Sequence, residues 1–200
     1  VQTCALPICR PVGEAVTRSS LLNALSMGRT SRQAEPVLPR KEFLNEIGLI
    51  FGARYVSAAV LPDGQALPAG DPVQDYTPSA TPGCRAPHAW VQQAGAKVST
   101  LDLLGREFVL LTAPQGSAWR EAAAALPAPR IHSVVIDGDD PEATTGWQAL
   151  YDIDADGAVL VRPDGHVAWR SRGGAGHDGA AVLSAALDAV LCRAPGGSAR

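Results

Sequence analysis

Apolar and polar positions along the chain change rhythm twice. From 11 to 27, Val12, Val16, Leu22 and Leu25 fall on a helical stripe and predict a helix. Pro11 suits its first position, where the missing N–H would be unpaired anyway, and Gly28 can end it. A polar stretch with Pro36 and Pro39 follows. A short helix is expected from Arg40 to Ile47, with Phe43, Leu44 and Ile47 on one side. Arg54 to Leu61 reads as a strand, stopped by the turn sequence at Pro62, Asp63 and Gly64. From Pro62 to Pro87 there are six prolines and no periodicity, the mark of a proline-stiffened, extended connector.

Beyond that connector the rhythm becomes one of alternating strands and helices. Glu107 to Thr112 is a continuous apolar run, as in a strand covered on both faces. Ser117 to Leu126 is predicted helical, with Ser117 as its N-cap and Trp119, Ala123 and Leu126 on one face. Ile131 to Ile136 is a β-branched strand, and Pro141 to Tyr151 reads as a short helix. Ala158–Arg162 and Val167–Arg170 flank Pro163-Asp164-Gly165-His166 and predict a hairpin. A last helix, Asp178 to Cys192, carries Val182, Leu183, Ala186, Leu187, Val190 and Leu191 as an apolar stripe. This element order predicts a thioredoxin-like α/β sandwich. The first strand–helix–strand unit requires a parallel pair, and the hairpin makes the sheet mixed. Phe108 to Leu111 and Ile131 to Ile136 are expected as adjacent central strands.

The implied organisation is a mainly helical segment 9–61, a Pro-rich linker 62–94 with the boundary near 78–90, a thioredoxin-like domain 95–194 and a tail 195–200. Residues 1–8 have no basic start, apolar centre or initiator Met, so they are no signal peptide. They resemble a translated sequencing adapter and are left out of the fold reasoning, with the gene expected to continue upstream.

Composition narrows the function classes. Hydrophobic residues at 46% and charged ones at 18% argue against disorder. Seventeen basic against twenty acidic side chains give a net charge of −3, which removes the electrostatic case for nucleic acid or an anionic membrane. No apolar run approaches the length of a spanning helix. Four cysteines, Cys4, Cys9, Cys84 and Cys192, show no CxxC pair, and are read as reduced thiols of a cytoplasmic protein.

Several motifs fail in their context. Gly174-Ala175-Gly176-His177-Asp178-Gly179 matches GxGxxG, yet no second parallel strand or ribose-binding acid follows it, so a loop reaching the last helix explains it better. Asp152, Asp154, Asp156 and Gly157 open like a calcium loop, but Pro163 stands where a bidentate Glu is needed. A thioredoxin-like redox site would need cysteines in the turn Ala113–Trp119, which has none. His88, His132, His166 and His177 lack metal-ligand spacing, and His132 reads as structural. No catalytic, cofactor-binding or metal-ligating residue is therefore assigned. One cluster does stand out: Arg85, His88 and Trp90 lie together on the stiffened segment Pro82-Gly83-Cys84-Arg85-Ala86-Pro87-His88-Ala89-Trp90. It could touch a ligand. The reading preferred is an interface or structural clamp that pins the linker to neighbouring domains.

Three stretches, Pro82–His88, Ser99–Thr112 and Asp156–Arg170, together resemble the C-terminal region of FAD-dependent aromatic hydroxylases, especially the polyketide hydroxylase type. Arg10-Pro11-Val12-Gly13 is similar to the segment after that family's last flavin-binding motif. The resemblance covers nearly all of 9–193. It implies a parent enzyme that binds FAD in an N-terminal domain and holds an aromatic substrate over the flavin with a middle domain. That parent ends in a thioredoxin-like domain without redox cysteines. NAD(P)H would reduce the flavin, and oxygen would be delivered to the ring, chemistry carried by the cofactor. The partners implied are those upstream domains and an aromatic small molecule, with a homodimer left open. None of the family's flavin motifs lies in this chain, so the segment itself is expected to be structural and inactive alone. The alternative is a stand-alone, redox-inactive thioredoxin-like binding module.

Overall fold

The computed structural model describes residues 46–193 except 73 and 128, together with 13, 14, 17, 18, 20 and 21, which are helical. Residues 1–8, the polar stretch 29–39, Phe43, Leu44 and the tail 195–200 lie outside the described residues.

Four strands form the main sheet: β3 (Phe108–Thr112), β4 (Ile131–Val135), β6 (Ala158–Val161) and β7 (Val167–Ser171), in the order β4-β3-β6-β7. β3 and β4 are parallel, with Leu110 opposite Ser133; β6 runs antiparallel to both β3 and β7. Helix α2 (Ser117–Ala125) makes the crossover between β3 and β4. The terminal helix α4 (Gly179–Val190) packs beside it. Leu110, Leu160 and Trp169 point from the sheet onto Trp119, Leu183 and Leu187 of these helices. Alternate residues Val109, Leu111, Val159 and Val161 face the opposite side, where Ile136, Trp147, Tyr151 and Val91 cover them. Both faces are buried, which is why β3 and β6 read as uninterrupted apolar runs rather than alternating ones. The mixed α/β sandwich expected from the element order is present.

A second, three-stranded antiparallel sheet was not foreseen. It consists of β2 (Ala96–Ser99), β1 (Trp90–Gln93) and β5 (Gly138–Asp139). The β1–β2 turn places Ala94 and Gly95 at φ of 50° and 77°. Its strands are short and largely polar, so they carry almost no periodic signal. A 3-10 turn, Thr100–Leu103, follows, closed by a capping box between Ser99 and Asp102.

Several local expectations are corrected. β4 adjoins β3 but forms the sheet's edge, because β6 takes the other side of β3; His132 accordingly is exposed on it. Gly116, not Ser117, occupies the N-cap of α2, with no side-chain cap bond. The short helix α3 spans only Trp147–Tyr151, its first N–H taken by the Asp139 carboxylate at 2.5 Å. Arg54–Leu61 is no strand: Arg54 makes a single bridge to Cys84, and the Ser57 hydroxyl and carbonyl then close a turn on Ala59 and Val60. Helix α1 (Glu46–Phe51) runs past the expected end at Ile47.

Candidate functional site

The segment 82–90 is positioned by the edge of β7. Tyr55 donates to the Gly83 carbonyl, Gly83 to Val167, and Val167 to Cys84, all at 2.8–2.9 Å; Ala86 donates to Gly165 at 2.9 Å. Gly83 adopts φ +100°, and a Cβ there would stand 2.3 Å from the Tyr55 carbonyl oxygen, so the chain needs glycine at this crossing. Further on, the Pro87 carbonyl accepts from the Tyr151 hydroxyl at 2.7 Å and the Thr100 hydroxyl at 2.9 Å, while Ala89 donates to Thr100 Oγ1. Burial pushes the Tyr151 phenol far up, which keeps it a neutral donor. The stretch read as a connector is thus extended but seated in the fold, with Ala80 and Ala86 in the core.

On this scaffold the three residues of the clamp separate. His88 and Trp90, two apart on an extended chain, share a side: their rings meet edge to face at 4.9 Å. His88 Nδ1 is 2.7 Å from the Ser99 hydroxyl, and the Lys97 ammonium sits 5.3 Å over the Trp90 ring. Lys97 is itself held by Asp140, which raises its pKa. Trp90 stays 46% exposed. Arg85 is joined to neither. Its guanidinium lies 5.5 Å over the Phe51 ring of α1, and a Cβ on Gly165 would stand 3.8 Å from it.

Arg85 and His88 line two separate depressions that share the Phe51 and Tyr76 rings. A cleft of about 340 Å³ is walled by Ile47, Phe51, Tyr76, Pro78, His88 and Leu101. A smaller cavity beyond Phe51 and Tyr76 is bordered by Arg54, Cys84 and Arg85. Burial pushes the Cys84 thiol up, which makes it a poor nucleophile. Cys84 is free, whereas Cys192 is disulfide-bonded, so the expectation of four reduced thiols does not extend to it.

The polar centre that sequence reasoning missed is Arg170. Its side chain is 1% exposed; Nε donates to Asp63 Oδ2 at 2.9 Å and Nη1 to the Tyr151 carbonyl at 2.9 Å, with Asp63 and the Gln65 side chain also held by Nη2. Burial opposes the Asp63 carboxylate, but the Arg170 hydrogen bond and charge outweigh it and lower its pKa. An Arg directly after the apolar run Val167-Ala168-Trp169 was the available signal.

The rejected motifs have structural explanations. Gly179 packs so closely that a Cβ would meet that of Ala175 at 2.5 Å, and one on Gly174 would strike the Asp156 carboxylate at 2.5 Å. A dinucleotide phosphate does not fit beside that carboxylate. Asp152 is taken by Arg172 at 2.6 Å, and no metal-holding cluster occurs among the described residues. In the turn after β3, where redox cysteines would sit, Arg120 instead binds Thr112 Oγ1, Ala113 O and Pro114 O at 2.9–3.1 Å. No helix among the described residues is long and apolar enough to cross a membrane.

Comparison with known proteins gives one consistent answer. The family model described as "Aromatic-ring hydroxylase, C-terminal" matches residues 79–194. The chain is 39% identical to 4-methyl-5-nitrocatechol 5-monooxygenase from Burkholderia sp over 76% of its own length and 29% of that protein's. It is 39% identical to tetracenomycin A2 monooxygenase-dioxygenase from Streptomyces glaucescens over 74% of itself and 27% of that protein. Among solved structures, the flavin-dependent monooxygenase PieE in complex with FAD and substrate aligns with TM-score 0.63 and 41% identity, over 75% of this chain and 27% of its own. Aklavinone-11 hydroxylase with FAD and aklavinone aligns with TM-score 0.69 and 29% identity, over 96% of this chain and 35% of its own. The chain therefore spans about a quarter to a third of the length of the curated relatives it matches.

Proposed function

Since the chain belongs to the aromatic-ring hydroxylase family, matching its C-terminal region, we propose that it is the C-terminal part of an FAD-dependent monooxygenase. That enzyme uses NAD(P)H and oxygen to hydroxylate an aromatic or polyketide substrate. The observation that supports this most is the alignment with flavin monooxygenases at 41% identity in which only 27% of the relative is used. The flavin chemistry belongs to the remainder of such an enzyme. Two places that could have cradled a dinucleotide are closed: the glycine-rich loop 174–179 faces Asp156, and the turn after β3 is filled by Arg120.

In this reading the chain's own residues do structural work. The domain division is a helical segment 9–61 belonging to the flavin and substrate domains, a linker, and the thioredoxin-like unit. Arg85, His88 and Trp90 face the upstream domains rather than the substrate. The protein is cytoplasmic, and its partners are those domains and an aromatic small molecule.

Reading the DNA upstream of residue 9 and expressing the joined product tests the proposal. The expected outcome is a yellow protein that oxidises NAD(P)H in the presence of aromatic substrates, while the 200-residue chain alone takes up no flavin. A start codon near residue 9 with no upstream frame would instead favour a stand-alone binding module. A flavin band on the chain alone that survives gel filtration would also overturn it.

A further inference from the structure

We infer that His166 is a proton-operated latch: on taking up a proton, the imidazole buried beneath Tyr55 pairs with Asp164 and tightens the grip of the β6–β7 hairpin on residues 55–61.

The first observation is a buried polar group that nothing satisfies. His166 is 2% exposed, and neither of its ring nitrogens has a hydrogen-bond partner. A neutral imidazole carries one donor and one acceptor, and leaving them unpaired in the interior is costly. Packing alone does not ask for histidine here. A phenylalanine ring would fill the same place beneath Tyr55, whose ring centroid lies 4.1 Å away at a tilt of 32°.

The second observation is the position of Asp164. Its Oδ2 takes the Arg162 guanidinium at 2.7 Å, while its Oδ1 accepts the His166 backbone N–H at 3.2 Å and lies 3.5 Å from His166 Nδ1. That last contact is too long for a good hydrogen bond. It is close enough for the two groups to act on each other: burial opposes the Asp164 carboxylate, yet His166 and Arg162 hold its pKa below 3.8. An imidazolium donates from both nitrogens, so protonation turns the idle Nδ1 into a charge-assisted donor to Oδ1. The Asp164 side chain is 39% exposed and has room to close the remaining gap.

Three elements surround the ring. The hairpin brings Asp164 and Arg162. Residues 54–61 bring Tyr55, with Arg54 turned away to the Pro68 carbonyl. The 82–90 segment brings Arg85, whose backbone bridges to His166, and Cys84, whose carbonyl accepts from Val167. Two guanidiniums therefore oppose a charge on the ring. Arg162 is already spent on Asp164 and the Ala59 carbonyl, and the Arg85 guanidinium lies over Phe51, whereas the Asp164 carboxylate is in contact and the Tyr55 face attracts a cation. The charged ring would hold the entering segment twice. It grips Tyr55 directly, on which the Arg162 guanidinium also sits at 5.8 Å, and it fixes Asp164, which aims Arg162 at Ala59 O.

Amide protection of 55–61 in the 200-residue chain, corrected for intrinsic exchange and followed together with the His166 ring resonances, tests this. A base that gains a partner on folding adds stability at low pH and loses it as pH rises. Protection should therefore increase, up to about tenfold, between about pH 8 and about pH 5.5, in step with the ring, where histidine ordinarily changes charge. His166→Phe keeps a ring beneath Tyr55 and should abolish the step. Asp164→Asn keeps the imidazole and should flatten the step while moving the ring's titration to lower pH. Should His166→Phe fail to fold, Asp164→Asn and the parent chain decide. A ring that does not titrate in this range overturns the proposal, as does a parent chain with no step. So does a step that survives in His166→Phe, which makes another group its source. Equal loss of protection at every pH in both variants overturns it in favour of packing alone.

Discussion

The sheet β4-β3-β6-β7 and the segment 46–89 are built by different physics. The sheet has neighbours close in space and apolar residues on both faces, and its strongest residues, such as Leu110 and Leu160, are wholly buried. Among its described residues the segment has no strand. Directional contacts to residues some hundred positions later hold it: Leu61 N to Ala168 O at 2.8 Å, Arg162 to Ala59 O at 3.2 Å, and Asp63 to Arg170. Apolar burial is non-directional and tolerant, whereas a buried ion pair is costly to break from one side. The two regions should therefore fail under different insults.

The largest effect is expected in the sheet. Leu160 lies opposite both Leu110 and Trp169 with no exposure. Leu160→Ala should cost about 3–4 kcal/mol, transfer and cavity terms together, in urea unfolding. Both regions should melt together, since the segment has nothing to grip once the sheet is lost. Asp63→Asn comes next. It leaves Arg170 buried with only the Gln65 side chain, the Tyr151 carbonyl and Asp152 at 3.4 Å, and should cost about 3 kcal/mol. Its signature is selective: amides of 57–65 lose protection while those of β3 and β6 keep theirs. Replacing both partners, Asp63→Leu with Arg170→Met, removes both charges and their desolvation and should cost less. A uniform loss of protection in Asp63→Asn would show that the two regions are one cooperative unit.

The same contrast explains what the sequence could convey. β3, β6, β7, α2 and α4 were legible because their patterns are local: apolar runs, a helical stripe and a Pro-Asp-Gly turn. The edge position of β4 was not, since Ile131–Val135 carries the same β-branched signal wherever β6 pairs. Residues 54–61 have strand-like composition, yet tertiary bonds from Gly83 and Ala168 decide their path, and no periodicity encodes those. At the candidate site the sequence grouped Arg85 with His88 and Trp90, whereas the structure joins only the last two. Alternation along an extended chain brings the His88 and Trp90 rings together, and Arg85, an odd number of residues away, is joined to neither.

Acid sharpens the comparison further. Burial opposes the charged forms of Asp63 and Asp164, but Arg170 in the first case, and His166 with Arg162 in the second, prevail and lower both pKa values below the ordinary 3.8. A carboxylate depressed in the folded state adds stability above its unfolded pKa and loses it as pH falls through the folded one. Both groups hold the segment: Asp63 directly, and Asp164 by orienting Arg162 toward Ala59 O. Lowering the pH from 5 to about 3 should thus release 54–65 before the sheet loosens, with Asp63→Asn flattening that dependence. Simultaneous acid loss in both regions would contradict it.

The smallest effect belongs to Ile50, and its smallness is informative. An apolar side chain more than half exposed gives up little when shortened, so Ile50→Ser in this chain should change stability by no more than about 0.5 kcal/mol. Leu160 and Ile50 are both branched aliphatics of similar size, so the contrast between them measures environment rather than chemistry. If Ile50→Ser instead cost as much as Leu160→Ala, its face would already be buried in the chain alone, by a second copy or by the chain itself. The outer surface of α1 would then belong with the sheet's core, and the division between a region sealed by apolar burial and one held by polar contacts would fall.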